Sequence, residues 1–150
     1  MVQEQLTCPL TTGERILVAI DGSEYSEAIL TQAISMGKIC NSVIFAISVV
    51  ELYSEQMALA PALEEKMSQE TRETLEKAQN RVKEENITCE TIVHFGALPH
   101  KFIVSEAVEK NIDLIVIGTH GRGRLKEVFM GGVAQRVIAN APCPVMVIPV

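Results

Sequence analysis

The stretch LIVIGTHGRGRLKEVFMGGVAQRVIA, residues 114–139, decides the fold because it runs from a strand through a glycine-rich loop into a helix. Residues 114–117 form a short, continuous apolar run, which is typical of a strand buried on both faces. Residues 132–139 are predicted to form a helix that begins at Gly132. A strand followed by a helix is the repeating unit of an α/β protein.

The same unit recurs along the chain. Further apolar runs, rich in Val and Ile, predict strands over residues 16–20, 43–50, 92–95 and 145–148. Helical spacing predicts helices over residues 24–37, over residues 61–85 and after Pro99. Ser23 is the expected N-cap of the first helix and Gly37 its end. Strands alternating with helices call for right-handed crossovers, so the fold class is α/β with a doubly wound, five-stranded parallel sheet.

Length and composition predict one folded domain. The chain has 150 residues, of which 47% are hydrophobic and 21% charged, close to ordinary globular proteins. Residues 1–13 read as a polar lead-in with a small part in the fold, and residues 14–150 as the domain. A net charge of −6 disfavours binding to nucleic acid.

Cysteines and leader signals predict the compartment. The four cysteines show no CxxC pair and no zinc spacing, so we expect reduced, mostly buried thiols at Cys8, Cys40, Cys89 and Cys143. The N-terminus lacks a basic start followed by an apolar segment, and no apolar run reaches the length of a membrane span. A soluble, cytoplasmic protein with no membrane partner is expected.

The loop after residue 117 carries the strongest functional signal. Five of the nine glycines lie within residues 118–133, around the start of a helix, where backbone N–H groups favour an anion. Arg122, Arg124 and Lys126 lie there too, with no acidic residue in residues 118–126. Glycines also form plain turns and surface arginines are usually solvated. Gly131 and Gly132 weigh against that interpretation, because each glycine in a helix costs about 0.5 to 1 kcal/mol relative to Ala. Phosphate is the simplest ligand.

Two familiar phosphate motifs do not fit. Arg124 and Leu125 stand where a Walker A loop requires Lys and Ser or Thr. The dinucleotide pattern GxGxxG fails at Lys126, and these glycines follow a late strand rather than the first. NAD is therefore disfavoured.

The chain resembles the universal stress proteins. That family carries a G-x2-G-x9-G-S/T signature, and Gly118, Gly121 and Gly131 occupy its glycine positions with the right gaps. The segments ERILVAIDGSEYSEAIL (residues 14–30), DLIVIGTHGRGRL (113–125) and APCPVMVIPV at the C-terminus extend the likeness over nearly the whole chain after residue 13. The final signature position differs, because Gly132 stands where Ser or Thr is usual.

The resemblance implies the strand order 3-2-1-4-5, an adenine nucleotide alpha hydrolase-like fold, and a site for ATP, or for ADP or AMP, with Mg²⁺ as an accompanying ion. The residues that match nucleotide-binding positions, with Arg122 added from the basic loop, are Ala19, Asp21, Val49, Ile117, Gly118, His120, Gly121, Arg122, Gly131, Gly132 and Val133. The missing hydroxyl at Gly132 lowers the expected affinity by up to about tenfold, the worth of one neutral hydrogen bond.

Several residues have plainer interpretations. Asp21 could cap the turn before the first helix, although its position after a strand favours a ligand role. His94 and His100 read as ordinary histidines, whereas His120 is better placed for function. Met57, Met67 and Met130 are expected to be packing or lid residues. Residues 51–61 are expected to form a flap beside the site.

Three functional hypotheses follow. The favoured one is a nucleotide-binding regulatory module of the stress response that is not an enzyme. The second is an interaction protein that has kept the fold and lost the ligand, and the third is a slow ATPase. The apolar terminal strand over residues 145–150, together with the resemblance, also predicts a homodimer formed through that edge.

Overall fold

The computed structural model describes residues 6–51, 61–121 and 129–150. Within these ranges strands and helices alternate: β1 (Arg15–Ala19), α1 (Ser26–Cys40), β2 (Val43–Val50), α2 (Pro61–Glu84), β3 (Cys89–Phe95), α3 (Pro99–Glu109), β4 (Leu114–Gly118), α4 (Gly132–Asn140) and β5 (Val145–Ile148). The five strands form one parallel sheet in the order β3-β2-β1-β4-β5. The predicted fold class and strand order are confirmed.

The strand order reverses beside β1. β2 and β3 lie on one side of β1, while the chain returns to its other side for β4, where Leu17 pairs with Ile115. The connections after β1 and β4 therefore leave in opposite directions and open a crevice beyond the carboxyl ends of these strands.

Two apolar layers cover the faces of the sheet. Ile16 and Val18 of β1 face a core that includes Leu30 of α1 and Val82 of α2, while Leu17 faces the second core. The second core is closed by side chains from α3 and α4, among them Ile103, Ala107 and Val137. Ile16, Leu17 and Val18 are fully buried, as a continuous apolar run predicts for a central parallel strand.

The boundaries predicted for α1 are wrong at both ends. The helix begins at Ser26, with Tyr25 as N-cap, and Ser23 belongs to the preceding turn, where its N–H donates to Asp21 Oδ1 at 2.9 Å. Gly37 lies inside the helix, where a Cβ would stand 3.1 Å from Cδ1 of Ile44. Its role is close packing on β2, and Asn41 ends the helix with a left-handed φ of 53°.

The expectation of four reduced thiols is wrong for Cys8 and Cys40, which form a disulfide. This bond ties the lead-in to the end of α1, and Leu10 packs against the core beneath it. Part of residues 1–13 thus contributes more to the fold than their polar composition indicates. Cys89 and Cys143 are free thiols, and burial raises the pKa of Cys89 to about 11.

None of the described helices is both long and apolar enough to cross a bilayer.

Candidate functional site

A cavity of about 400 Å³ opens at the carboxyl ends of β1, β2 and β4, at the point where the strand order reverses. We call it the strand-end cavity. It is lined by the ends of these strands, the start of α4 and parts of α2 and α3. Ten of the predicted nucleotide-binding residues line it: Ala19, Asp21, Val49, Ile117, Gly118, His120, Gly121, Gly131, Gly132 and Val133. Arg122 lies outside the described residues.

One end of the strand-end cavity is apolar. Ala19, Val49 and Ile117 line it beside Ile47, and the side chains of Ile47 and Ile117 are almost fully buried. These residues end neighbouring parallel strands, so their side chains form a continuous surface. A surface of this kind suits a flat apolar group such as a nucleobase.

A second part of the lining, the glycine end, is built from Gly121, Gly131 and Gly132. A Cβ on Gly121 would overlap Oδ2 of Asp21, and a Cβ on Gly131 would stand 3.2 Å from the backbone oxygen of Thr119. A Cβ on Gly132 would meet nothing within 4 Å. The first two positions thus admit little beyond hydrogen, whereas Gly132 has room for a side chain.

The start of α4 forms the floor of this glycine end. Gly131 is its N-cap in an extended conformation and has no side chain to cap the helix. The Gly131 N–H donates to the carbonyl of Thr119 at 2.7 Å, which fixes the helix start beside the end of β4. N–H groups of a first helical turn lack intrahelical partners and carry the positive end of the dipole, so this geometry favours an anion.

Asp21 also lines the strand-end cavity, in the turn between β1 and α1. Its Oδ1 accepts a hydrogen bond from the Ser23 N–H at 2.9 Å and lies 3.4 Å from the hydroxyl of Ser26. Asp21 therefore stabilises the turn before α1, as the plainer interpretation predicted. The same carboxylate lines the strand-end cavity against Gly121, so the turn also positions it toward the open space.

His120 is held at the exit of β4. Its Nδ1 lies 3.1 Å from the hydroxyl of Thr119, and that hydroxyl accepts a hydrogen bond from the Val150 N–H at 3.1 Å. The last residue of the chain is thereby connected to the rim of the strand-end cavity. Because the histidine ring can either donate or accept here, it can address a hydroxyl or an anion.

The described lining carries negative charge. Asp21 and Glu51 contribute carboxylates. Among residues 6–51, 61–121 and 129–150, no Lys or Arg lines the cavity. The predicted basic patch of Arg122, Arg124 and Lys126 falls outside those ranges. So does most of the predicted flap, including Met57.

Sequence reasoning missed part of the wall. Met67 and Thr71 of α2 line the strand-end cavity, as do Pro99 and Ile103 of α3. Met67 was expected to be a packing or lid residue, and Thr71 gave no signal because a lone threonine in a charged helix is unremarkable. The sequence predicted Ile103 only as a core residue of the helix after Pro99.

The other two histidines lie outside this lining, in keeping with their ordinary interpretation. His94 pairs with Glu106, with His94 Nε2 and Glu106 Oε1 2.8 Å apart, and its ring stacks on Phe102. Glu106 is buried, which by itself raises its pKa. Hydrogen bonds from His94 and Lys110 lower the pKa by more than burial raises it, so the carboxylate stays charged.

Comparison with known families decides the relationship. The model of the universal stress protein family matches residues 13–149. The chain belongs to this family. A universal stress protein of Methanocaldococcus jannaschii is 35% identical over 141 residues, which cover 90% of this chain and 81% of the relative. The solved structure of universal stress protein UspA from Lactobacillus plantarum superposes with a TM-score of 0.81 at 28% identity, covering 92% of this chain and 99% of that one.

Two further universal stress protein structures contain nucleotides. One is a complex with cAMP, with a TM-score of 0.72, 22% identity and coverage of 92% and 98% of the two chains. The other, from Archaeoglobus fulgidus, is a complex with dAMP, with a TM-score of 0.66, 22% identity and coverage of 91% and 98%. At this identity the likeness demonstrates a shared fold.

Proposed function

We propose that this universal stress protein binds ATP or a related adenine nucleotide in the strand-end cavity and acts as a regulatory module of the stress response. The observation that carries the proposal is that ten residues predicted from the family resemblance line one cavity with an apolar end and a glycine end. Its volume of about 400 Å³ falls in the range of small-molecule sites. The protein is proposed to be a binding module rather than an enzyme.

The proposed roles follow the two ends of the strand-end cavity. Adenine packs on Ala19, Val49 and Ile117, which offer apolar contact. The phosphates lie at the glycine end, where the N–H groups of Gly132 and Val133 face them from the start of α4. The remaining polar groups contact the ribose and the phosphate edge: Asp21, His120 and the backbone of Gly118, Gly121 and Gly131.

Charge determines which nucleotide fits. The described lining contributes carboxylates from Asp21 and Glu51, so a polyphosphate needs compensating cations. Arg122 and an Mg²⁺ ion bound to the phosphates are the proposed sources. Gly132 provides no hydroxyl, which lowers the preference for a long phosphate chain and leaves ADP and AMP as alternatives to ATP.

The nucleotide-bound relatives support this assignment. Structures of the same fold have been solved with cAMP and with dAMP, both of which are adenine nucleotides. Adenine is identical in these two ligands, whereas the sugar and the phosphate linkage differ. We therefore expect the apolar end of the strand-end cavity to determine the ligand class.

Calorimetric titration of the purified protein tests the proposal. We expect saturable binding of at least one of ATP, ADP and AMP, and a rise in melting temperature that grows with ligand concentration. GTP serves as the control because it shares the triphosphate and differs in the base. Absence of heat and of any melting shift at millimolar adenine nucleotide, with none released on denaturation, contradicts the proposal.

A homodimer formed through the terminal strand is the second part of the proposal. β5 is an edge strand, and each of its four residues remains partly exposed although all four are apolar. An apolar edge with unpaired backbone groups favours pairing with a second copy. Light scattering at tens of micromolar protein should give twice the monomer mass of 16.4 kDa, whereas a monomer mass overturns this part.

A cytoplasmic location completes the proposal, because adenine nucleotides are abundant there. The Cys8–Cys40 disulfide is more typical of oxidising compartments and weighs against it.

A further inference from the structure

The first half of α2 lies over the strand-end cavity and buries none of its own side chains. The buried residues of this helix are Leu75, Ala78 and Val82, all in its second half. Residues 61–74 are exposed or only half-buried. The helix therefore divides into a packed half and a half that lacks a core.

One helical face connects the two halves. Met67 and Thr71 precede Leu75 by eight and four residues, so they share the side that packs on β2 and β3 further along. In the second half this face meets the sheet, and at Met67 and Thr71 it lines the strand-end cavity. The face of α2 that carries Leu75 thus continues from the protein core to the strand-end cavity.

Polar contacts are divided in the same way. In the second half, Arg81 donates to the hydroxyl of Thr31 at 2.7 Å and pairs with Glu27 at 3.0 Å, while Gln79 donates to the Cys89 carbonyl at 2.9 Å. Across the described part of the chain, the side-chain hydrogen bonds of residues 61–74 stay within the helix. Tertiary packing usually stabilises helices in proteins, so this half is the weaker one.

We infer that Met67 and Thr71 are ligand-contacting residues and that bound nucleotide provides the packing surface that residues 61–74 lack. The inference rests on the proposed nucleotide site. α2 packs on the first core, whereas Ala19, Val49 and Ile117 face the second core, so Met67 and Thr71 reach the strand-end cavity from the side opposite to the residues assigned to adenine. The Met67 thioether is suited to pack on an aromatic base, and the Thr71 hydroxyl can hydrogen-bond to a base or ribose edge. Nucleotide occupancy is thereby converted into order in the first half of α2.

Hydrogen exchange of the wild-type protein with and without ATP tests the coupling. We expect backbone exchange in residues 61–74 to slow roughly tenfold at saturating ATP, while residues 75–84 change little because they are already packed. Calorimetry on the same sample reports binding separately. ATP binding without a change in residues 61–74 overturns this inference and leaves the proposed function standing, whereas absence of binding overturns both.

A matched pair of variants tests the contact itself. Met67→Ala is expected to weaken ATP binding roughly fivefold, because it removes a half-buried apolar side chain from the ligand surface. Leu63→Ala is the control, since Leu63 precedes Met67 by one helical turn, is 46% exposed and lies outside the described lining. Thr71→Val should weaken binding less than Met67→Ala and keep the melting temperature. Equal affinities for Met67→Ala and Leu63→Ala contradict the assignment.

Discussion

Gly121→Ala is expected to weaken adenine nucleotide binding about tenfold or more while the protein remains folded. A Cβ at this position would overlap Oδ2 of Asp21. The overlapping atom ends a side chain, so the carboxylate rather than the backbone is expected to move, at the cost of its hydrogen bonds in the turn before α1. Rotation breaks the 2.9 Å hydrogen bond from the Ser23 N–H and removes the carboxylate from its place in the strand-end cavity. Charged hydrogen bonds contribute about 1.5 to 3 kcal/mol, which corresponds to a tenfold or larger loss of affinity.

A double-mutant cycle identifies the cause of this loss. If Gly121→Ala acts through Asp21, then Asp21→Ala alone should cost a similar factor, and the double variant should cost little more than either single change. Titration calorimetry on the four proteins provides the affinities, and thermal unfolding reports whether each is folded. Fully additive losses would show that the two residues act independently and would contradict the proposed geometry.

Gly132→Ser provides a comparison in the opposite direction. A Cβ at Gly132 meets nothing within 4 Å, so the serine fits, and its hydroxyl restores the donor that the family signature usually carries. Gly132→Ser is expected to raise the affinity for ATP by up to about tenfold, whereas Gly121→Ala, which adds a side chain of similar size, is expected to lower it.

The fold could be predicted from the sequence because its central strands are buried on both faces. Runs such as residues 16–20 and 114–117 must be continuously apolar, and that pattern is unambiguous. β3 was predicted from residue 92 although it begins at Cys89, because Glu90 and Thr91 are exposed on an edge strand and interrupt the apolar run. Gly37 was mistaken for a helix end because sequence does not distinguish a glycine that terminates a helix from one that admits a neighbour such as Ile44.

The site was predictable to the extent that it lies on strand ends and the glycine loop. These positions were assigned by resemblance to the universal stress proteins, and they line one cavity because the carboxyl ends of β1, β2 and β4 lie at the same edge of the parallel sheet. The α2 wall was not predictable, because Met67 and Thr71 reach the site only through the tertiary packing of a helix distant in sequence. The disulfide was missed for a similar reason, since nothing local relates Cys8 to Cys40.

Removal of the disulfide is expected to lower the free energy of unfolding by about 2 to 4 kcal/mol. The bond joins residues 32 positions apart, and in the loop-entropy model a closure of this length restricts the unfolded chain substantially. Cys40→Ser should show the loss in denaturant unfolding without reductant, and Cys8→Ser should match it. Cys143→Ser is the control, because Cys143 is a free, half-buried thiol on the other side of the sheet.

Thiol counting tests whether the Cys8–Cys40 disulfide is present. Unfolded without reductant, the protein should expose two reactive thiols, Cys89 and Cys143, out of four cysteines. Four reactive thiols would contradict the disulfide and restore the reduced-thiol expectation.

In the folded state the residues around the bond are closely packed, since a Cβ on Gly13 would stand 2.7 Å from Sγ of Cys8 and 2.8 Å from Cβ of Cys40. Reduction should therefore destabilise the protein as the serine variants do, because both release residues 8–13 and the packing of Leu10 on the α1 and α2 core.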